Sequence, residues 1–441
     1  MTSHEPDASV PRLDHLVDRR LVRRPSFWTS TEIAQRFARR TLVTKLRGLE
    51  RCALHVFDLH DGSVLSAGSD RGVVEGEIEA TVRIRDPRFY PKAVFGGSIG
   101  VAEAYMEGWW ESDDLSETLR LFARNRDALD GLDAGWGKTL ALLHSFVQMR
   151  RANTRRGSRR NIGAHYDLSN EFFEVFLDRR MMYSAAIYER EDMSLDEASV
   201  VKMDRLATKL DLRPTDHLLE IGTGWGGFAL HAAADYGCRV TTTTISRRQY
   251  EYSRRAVEQA GLSHRIDVRL QDYRDLEGTF DKLVSIEMIE AVGHRFLGTY
   301  FETCSRLLEP GGLMALQGIV MADRHFETYR RSVDFIQRYV FPGSALPSVG
   351  RIATAAAKAD LQILHLEDIG PHYARTLSDW RERFFQRIDE IYALGFSERF
   401  VRLWEFYLGY CEAGFLERSI GDVQVLLARA DNRRAPVLGR I

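Results

Sequence analysis

Residues 217–228, reading HLLEIGTGWGGF, constrain this chain more than any other stretch. Leu218, Leu219 and Ile221 form an apolar run suited to a strand buried on both faces. Gly222, Gly224, Gly226 and Gly227 follow, and Phe228-Ala229-Leu230-His231 then resumes at helical spacing. Strand, glycine turn and helix in that order make a parallel α/β unit. Glycine is needed where the backbone turns with positive φ, or where a ligand lies against the main chain with no Cβ between them. The turn therefore predicts either a nucleotide-like ligand or an ordinary glycine-rich connection, and its surroundings must decide.

From residue 161 onward strands and helices alternate. Strands are expected at 217–221, 239–244, 266–270, 282–286, 313–319, 361–369 and 423–428, with helices at 196–209, 228–234, 247–259, 297–307 and 349–358. This is the pattern of a doubly wound α/β sheet, which takes its ligands at the carboxyl ends of its strands. Ahead of it, a helix at 31–48, strand-like runs at 56–65 and 80–84 broken by Asp61-Gly62 and Asp86-Pro87, and a helix at 115–122 predict a smaller N-terminal α+β domain over 31–125. The stretch YMEGWWE (105–111) closes that domain, and its adjacent tryptophans suit a packed edge. Residues 1–30 read as a loose tail, 126–160 as a helical and basic linker containing a helix at 140–149, and 161–441 as the second domain.

A chain of 441 residues exceeds one small core. Its net charge is only −2, yet no acidic residue falls between Asp133 and Asp167 while Lys138 and six arginines of 150–160 do, and ten basic residues lie between Arg19 and Arg51. Such clusters suit an anionic membrane surface, nucleic acid or a solvated face. No window approaches the roughly eighteen apolar residues of a membrane span, and the N-terminus lacks a signal-peptide core, so a cytoplasmic protein is expected. Cys52, Cys238, Cys304 and Cys411 are widely spaced, which predicts neither a disulfide framework nor a metal site.

The second strand of the sheet narrows the ligand. A dinucleotide enzyme places an Asp or Glu about twenty residues after the glycines to hold a ribose. Here the strand ends Thr241-Thr242-Thr243-Thr244-Ile245-Ser246 with Gln249 one turn on, which disfavours NAD.

His165-Tyr166-Asp167, Met182-Tyr183-Ser184, LEIGTGWGG, Thr244-Ile245-Ser246, Gln271-Asp272-Tyr273-Arg274, Glu287-Met288-Ile289-Glu290, Phe341-Pro342 with Leu346-Pro347-Ser348, and Pro371-His372-Tyr373 occur in this order. Together they make residues 161–430 resemble the cyclopropane-fatty-acyl-phospholipid synthase family, to which the mycolic acid cyclopropane synthases are related. YMEGWWE resembles the N-terminal lipid-binding domain of the full-length bacterial enzymes.

The resemblance implies a Rossmann-like methyltransferase sheet, S-adenosylmethionine as cofactor, and methyl transfer to the double bond of an unsaturated phospholipid acyl chain. It implies that Gly222, Gly224 and Gly226 lie beneath the methionine part of the cofactor, Thr244 and Gln249 near the ribose, Asp272 near the adenine, and Tyr166 and Ser184 over the sulfonium. In the resembled family a bound bicarbonate takes up the proton. Its holders fall here on Glu290, Tyr373, the main chain at Ala185 (where the family has Cys) and Gln317 (where it has His). Glutamine donates a hydrogen bond but cannot become cationic, so the identity of the product is left open between a cyclopropane and a methylated or methylene chain. Cys411 also sits at a family motif. The expected partners are unsaturated acyl chains and an anionic membrane surface, with no nucleic acid, and a homodimer is left open; the expected location is peripheral, at the inner membrane face. Two other readings stand beside this one: a methyltransferase for a small soluble amine or phospho-base, and a non-catalytic lipid-binding protein.

Overall fold

The computed structural model describes residues 30–68, 77–126, 168–433 and 435. The tail, the expected helix at 140–149, nearly all of the basic linker and Tyr166 lie outside the described residues.

The N-terminal domain is a four-stranded sheet in the order β2-β1-β3-β4, made of β1 (Cys52–Asp58), β2 (Val64–Gly68), β3 (Ile78–Ile84) and β4 (Trp110–Ser112). The run at 56–65, broken at Asp61-Gly62 as expected, is a hairpin that closes there, where Gly62 takes φ +73°. The helices Ser30–Leu46 and Phe89–Met106 pack against each other at the sheet. The sequence gives no amphipathic period for Phe89–Met106, because this helix is apolar nearly all round and is interrupted by non-helical Gly97 (φ 55°, ψ −146°). Of the two adjacent tryptophans, Trp110 is buried and donates from its indole nitrogen to the carbonyl of Val101 at 2.9 Å, while Trp109 carries the Arg88 guanidinium over its ring.

The second sheet has seven strands, β5 (His217–Ile221), β6 (Arg239–Thr244), β7 (Ile266–Leu270), β8 (Phe280–Ile286), β9 (Leu308–Met321), β10 (Leu361–Asp368) and β11 (Ile420–Arg429). Their order is β10-β11-β9-β8-β5-β6-β7, and β11 alone runs antiparallel to its neighbours. All seven expected strands are present, as are the five expected helices between them. The chain reverses its direction of winding at β5, so the glycine turn lies at the switch point where such sheets take ligands.

Two long helices, Gly370–Gln386 and Glu398–Leu416, pack on each other and tie the sheets together. Glu417 accepts from Arg120 at 3.1 Å and Arg124 at 2.9 Å, Ser116 donates to Glu412 at 2.8 Å, and Tyr105 donates to Glu405 at 2.6 Å. Gly409 permits this approach, since a Cβ there would stand 3.2 Å from the Ser116 hydroxyl.

Candidate active site

The turn after β5 takes positive φ at Gly222 (+101°), Gly224 (+53°) and Gly226 (+91°), and a Cβ on Gly224 would meet nothing within 4 Å. Bare main chain thus faces open space, as a ligand seat requires. The threonine run of β6 is buried and spends its hydroxyls inside the sheet: Thr242 donates to Glu220 at 2.5 Å and shares a hydrogen bond of 2.7 Å with Thr223. Thr244 donates to Gln249 at 3.0 Å, which fixes the amide with its nitrogen directed away. Asp272, at the end of β7, is held by Arg274 through contacts of 2.7 and 2.9 Å. Ser184 accepts at 2.8 Å from Lys202, a fully buried lysine on the helix Leu195–Leu210.

Three of the groups expected to hold a free anion meet instead on Glu287, whose only sequence signal is its place in the motif Glu287-Met288-Ile289-Glu290. Glu287 accepts from the Ala185 main-chain N–H at 2.8 Å, from the Gln317 amide at 2.8 Å and from the Tyr373 hydroxyl at 2.6 Å. Four chain segments converge here: the 181–187 loop, the end of β8, the middle of β9 and the start of Gly370–Gln386. Gln317 also donates to Asp422 at 3.3 Å and accepts from Gln424 at 3.0 Å, so both ends of its amide are fixed. A bicarbonate held by these donors would have to displace the Glu287 carboxylate, so the residues present do not fit a separate anion. Glu290 stands apart, accepting from the Ile319 main-chain N–H at 2.5 Å, with its second oxygen buried and unpartnered.

Electrostatics distinguish these carboxyls. Burial raises the pKa of Glu287, but Tyr373, the Ala185 N–H, the Lys202 ammonium and Gln317 all favour its ionised form. Asp422 is pushed well above the usual range by burial and by the Glu287 charge, and Glu290 to about 8 by the same two causes. The donors around Glu287 favour its ionised form more than those of either neighbour do, and burial beside it favours the protonated forms of Asp422 and Glu290. Lys202 is lowered to about 8 by burial and drawn back up by Glu287 and the other carboxylates around it. Glu287 also adopts φ +46°, a left-handed conformation that costs a non-glycine residue energy and is maintained only by its surroundings.

A cavity of about 1170 Å³ joins these parts. Gly222, Gly224, Thr244, Gln249, Asp272, Ser184, Glu287, Glu290, Tyr373 and Cys411 line it, while Gly226, Ala185 and Gln317 lie behind the lining. Tyr183, Phe341 and Tyr407 make an aromatic wall in which the Tyr183 and Tyr407 hydroxyls meet at 2.9 Å. The cavity continues along the inner face of the N-terminal sheet to Leu54, Val82 and Ile84. Burial raises the Cys411 thiol far above its ordinary pKa, so it is a neutral wall group rather than a thiolate.

The seven-stranded sheet with antiparallel β11 and the open glycine turn at its switch point are the frame of an S-adenosylmethionine-dependent methyltransferase, the class to which the similar proteins belong. Residues 153–425 match the family described as mycolic acid cyclopropane synthetase, and the chain belongs to that family. It is 40% identical over 343 residues to a tuberculostearic acid methyltransferase of Mycobacterium tuberculosis, covering 76% of this chain and 79% of the relative. It is 35% identical over 363 residues to the cyclopropane-fatty-acyl-phospholipid synthase of Escherichia coli, covering 81% of this chain and 90% of the relative. Among solved structures, the M. tuberculosis cyclopropane synthase MmaA2 aligns with TM-score 0.58 and 31% identity, and mycolic acid cyclopropane synthase CmaA1 complexed with SAH with TM-score 0.58 and 30% identity. Each covers 62% of this chain and 98% of its own. The chain is thus an enzyme of the cyclopropane and methyl fatty acid synthase family.

Proposed function

We propose that the enzyme methylates the double bond of an unsaturated acyl chain carried by a membrane phospholipid, yielding a cyclopropane or a methyl- or methylene-branched chain. The cavity carries this reading. It runs from the glycine turn past the aromatic wall into the apolar N-terminal sheet, and at about 1170 Å³ it exceeds the roughly 300–1,000 Å³ of a site for one small ligand. A long apolar arm disfavours a soluble amine, and the fatty acyl substrates named for the relatives support a lipid.

S-adenosylmethionine supplies an electrophilic methyl group. Gly222, Gly224 and Gly226 give the turn its bare main chain for the methionine part, Thr244 and Gln249 serve the ribose, Asp272 the adenine, and Ser184 the sulfonium side. Tyr166 belongs to this set by resemblance alone. The alkene is a weak nucleophile, so its alignment and the exclusion of water contribute most. The faces of Tyr183, Phe341 and Tyr407 favour the cation that develops on the chain. Glu290, Tyr373 and Cys411 line the same cavity.

Residues 31–125 serve as the lipid-handling domain and 161–441 as the methyltransferase domain. On the helix Ser30–Leu46, Ile33 and Phe37 are 57% and 61% exposed one turn apart, beside exposed Arg36 and Arg40, a surface suited to an anionic bilayer. No helix among the described residues is long and apolar enough to cross a membrane. The test is incubation with S-adenosylmethionine and vesicles of mono-unsaturated phospholipid, followed by mass spectrometry of the fatty acids. One added carbon is expected, and its absence with cofactor binding intact would redirect the reading to a soluble substrate.

A further inference from the structure

We infer that Glu287 is the resident general base of this enzyme and takes the place of a bound bicarbonate. The inference rests on the acyl-methylation reading for its chemistry, but its structural core is independent of substrate. Three donors from separate segments, the Ala185 N–H, the Gln317 amide and the Tyr373 hydroxyl, close on one carboxylate at 2.6–2.8 Å. That carboxylate lines the same cavity as the aromatic residues Tyr183, Phe341 and Tyr407. Its backbone is held at φ +46°, and its neighbour Asp422 is fully buried with one carboxyl oxygen unpartnered by any hydrogen-bond donor. A protonated Asp422 next to an ionised Glu287 satisfies both groups, whereas a second free anion would add an uncompensated charge.

The step balances without any further reactant. The alkene π pair forms the new carbon–carbon bond to the methyl group as the methyl–sulfur bond breaks, and the other alkene carbon becomes cationic. Glu287 then takes a proton. If the proton comes from the transferred methyl, the released pair closes a cyclopropane ring. If it comes from a neighbouring chain carbon, the pair forms a new double bond beside the methyl branch. Glu287 ends as the neutral acid, and exchange with water after product leaves restores the carboxylate. Because the base is tethered, Gln317 and Tyr373 act as positioning residues that fix its angle and thereby which proton it reaches.

Two variants and one ligand test the inference. In Glu287→Gly the strained backbone is relieved and a carboxylate-sized space opens among the three donors; in Glu287→Gln the space stays filled but the base is lost. Titration with isotope-labelled bicarbonate, followed by carbon NMR, is expected to show no saturable binding to the wild type and saturable binding, displaced by formate, to Glu287→Gly. In the vesicle assay with carbon dioxide removed, the wild-type rate is expected to be unchanged. Both variants are expected to lose roughly 100-fold or more of it, with bicarbonate or formate restoring only Glu287→Gly. Saturable bicarbonate binding by the wild type, a wild-type rate that depends on bicarbonate, or a Glu287→Gln variant of near-normal rate would each overturn the inference. Absence of all lipid methylation by the wild type would instead overturn the acyl substrate, and the binding experiment would still decide the anion question.

Discussion

The ammonium of Lys202 lies 2.8 Å from the hydroxyl of Ser184, with both side chains buried, and its charge is felt by Glu287, Asp178, Asp422 and Glu220. A buried cation among carboxyls sets which of them stays ionised. Lys202 thus acts on Glu287 through the interior of the protein.

Replacing that lysine tests the coupling. Lys202→Met is expected to raise the pKa of Glu287 and to shift the acid limb of the rate–pH profile upward. Because uncompensated carboxylates remain buried, unfolding free energy should fall by about 3 kcal/mol. Denaturation in urea together with the pH profile checks both. A profile that does not move, despite lost stability, would leave the lysine a packing role only.

Stability should depend on pH through Glu290. Burial raises its pKa from 4.5 to about 8, so between those values the folded state keeps a proton that the unfolded chain has released. Its contribution is full below the unfolded value and is lost as pH rises through the folded one. Glu220, raised to about 8 by burial, adds in the same direction, whereas Lys202 acts oppositely and only above about 8. Unfolding free energies measured at about pH 5 and about pH 8 should therefore fall with pH, and Glu290→Gln should flatten part of that slope.

The acyl path can be narrowed far from the chemistry. Val82 is buried on the N-terminal sheet and lines the cavity, so Val82→Phe should raise KM for phospholipid vesicles by roughly tenfold, at a stability cost of about 1–3 kcal/mol. S-adenosylmethionine affinity, measured by calorimetry, should be unchanged. An equal loss of both would mean that the substitution disturbs the whole fold.

Membrane attachment should have two separable parts. Replacing Ile33 and Phe37 with serine should weaken sedimentation with anionic vesicles at all salt concentrations, since apolar burial is not screened. Binding of the unaltered protein should weaken as salt rises, because the arginine contribution is screened over about 8–10 Å. Salt-independent binding, or equal binding to neutral vesicles, would remove the anionic surface from the reading.

The strands of the large sheet and the helices between them were readable because parallel strands covered on both faces need continuous apolar runs and the glycine turn marks the first of them. The helices Gly370–Gln386 and Glu398–Leu416, together with Phe89–Met106, were not found. Phe89–Met106 is apolar nearly all round and Glu398–Leu416 is buried over much of its circumference, so neither shows one stripe, whereas Gly370–Gln386 does carry one at Tyr373, Leu377, Trp380 and Phe384. The site followed the same division. Local chemistry marked the glycine turn, the family resemblance alone grouped Glu290, Gln317, Tyr373 and Ala185, and the pair of acids in Glu287-Met288-Ile289-Glu290 was the available signal for a second carboxylate. Only the tertiary structure decided that the donors close on Glu287 and leave Glu290 apart. That choice depends on the crossing of β8, β9 and β11 with the helix from Gly370, where tertiary geometry, and not the spacing of residues along the chain, determines which carboxyl the donors meet.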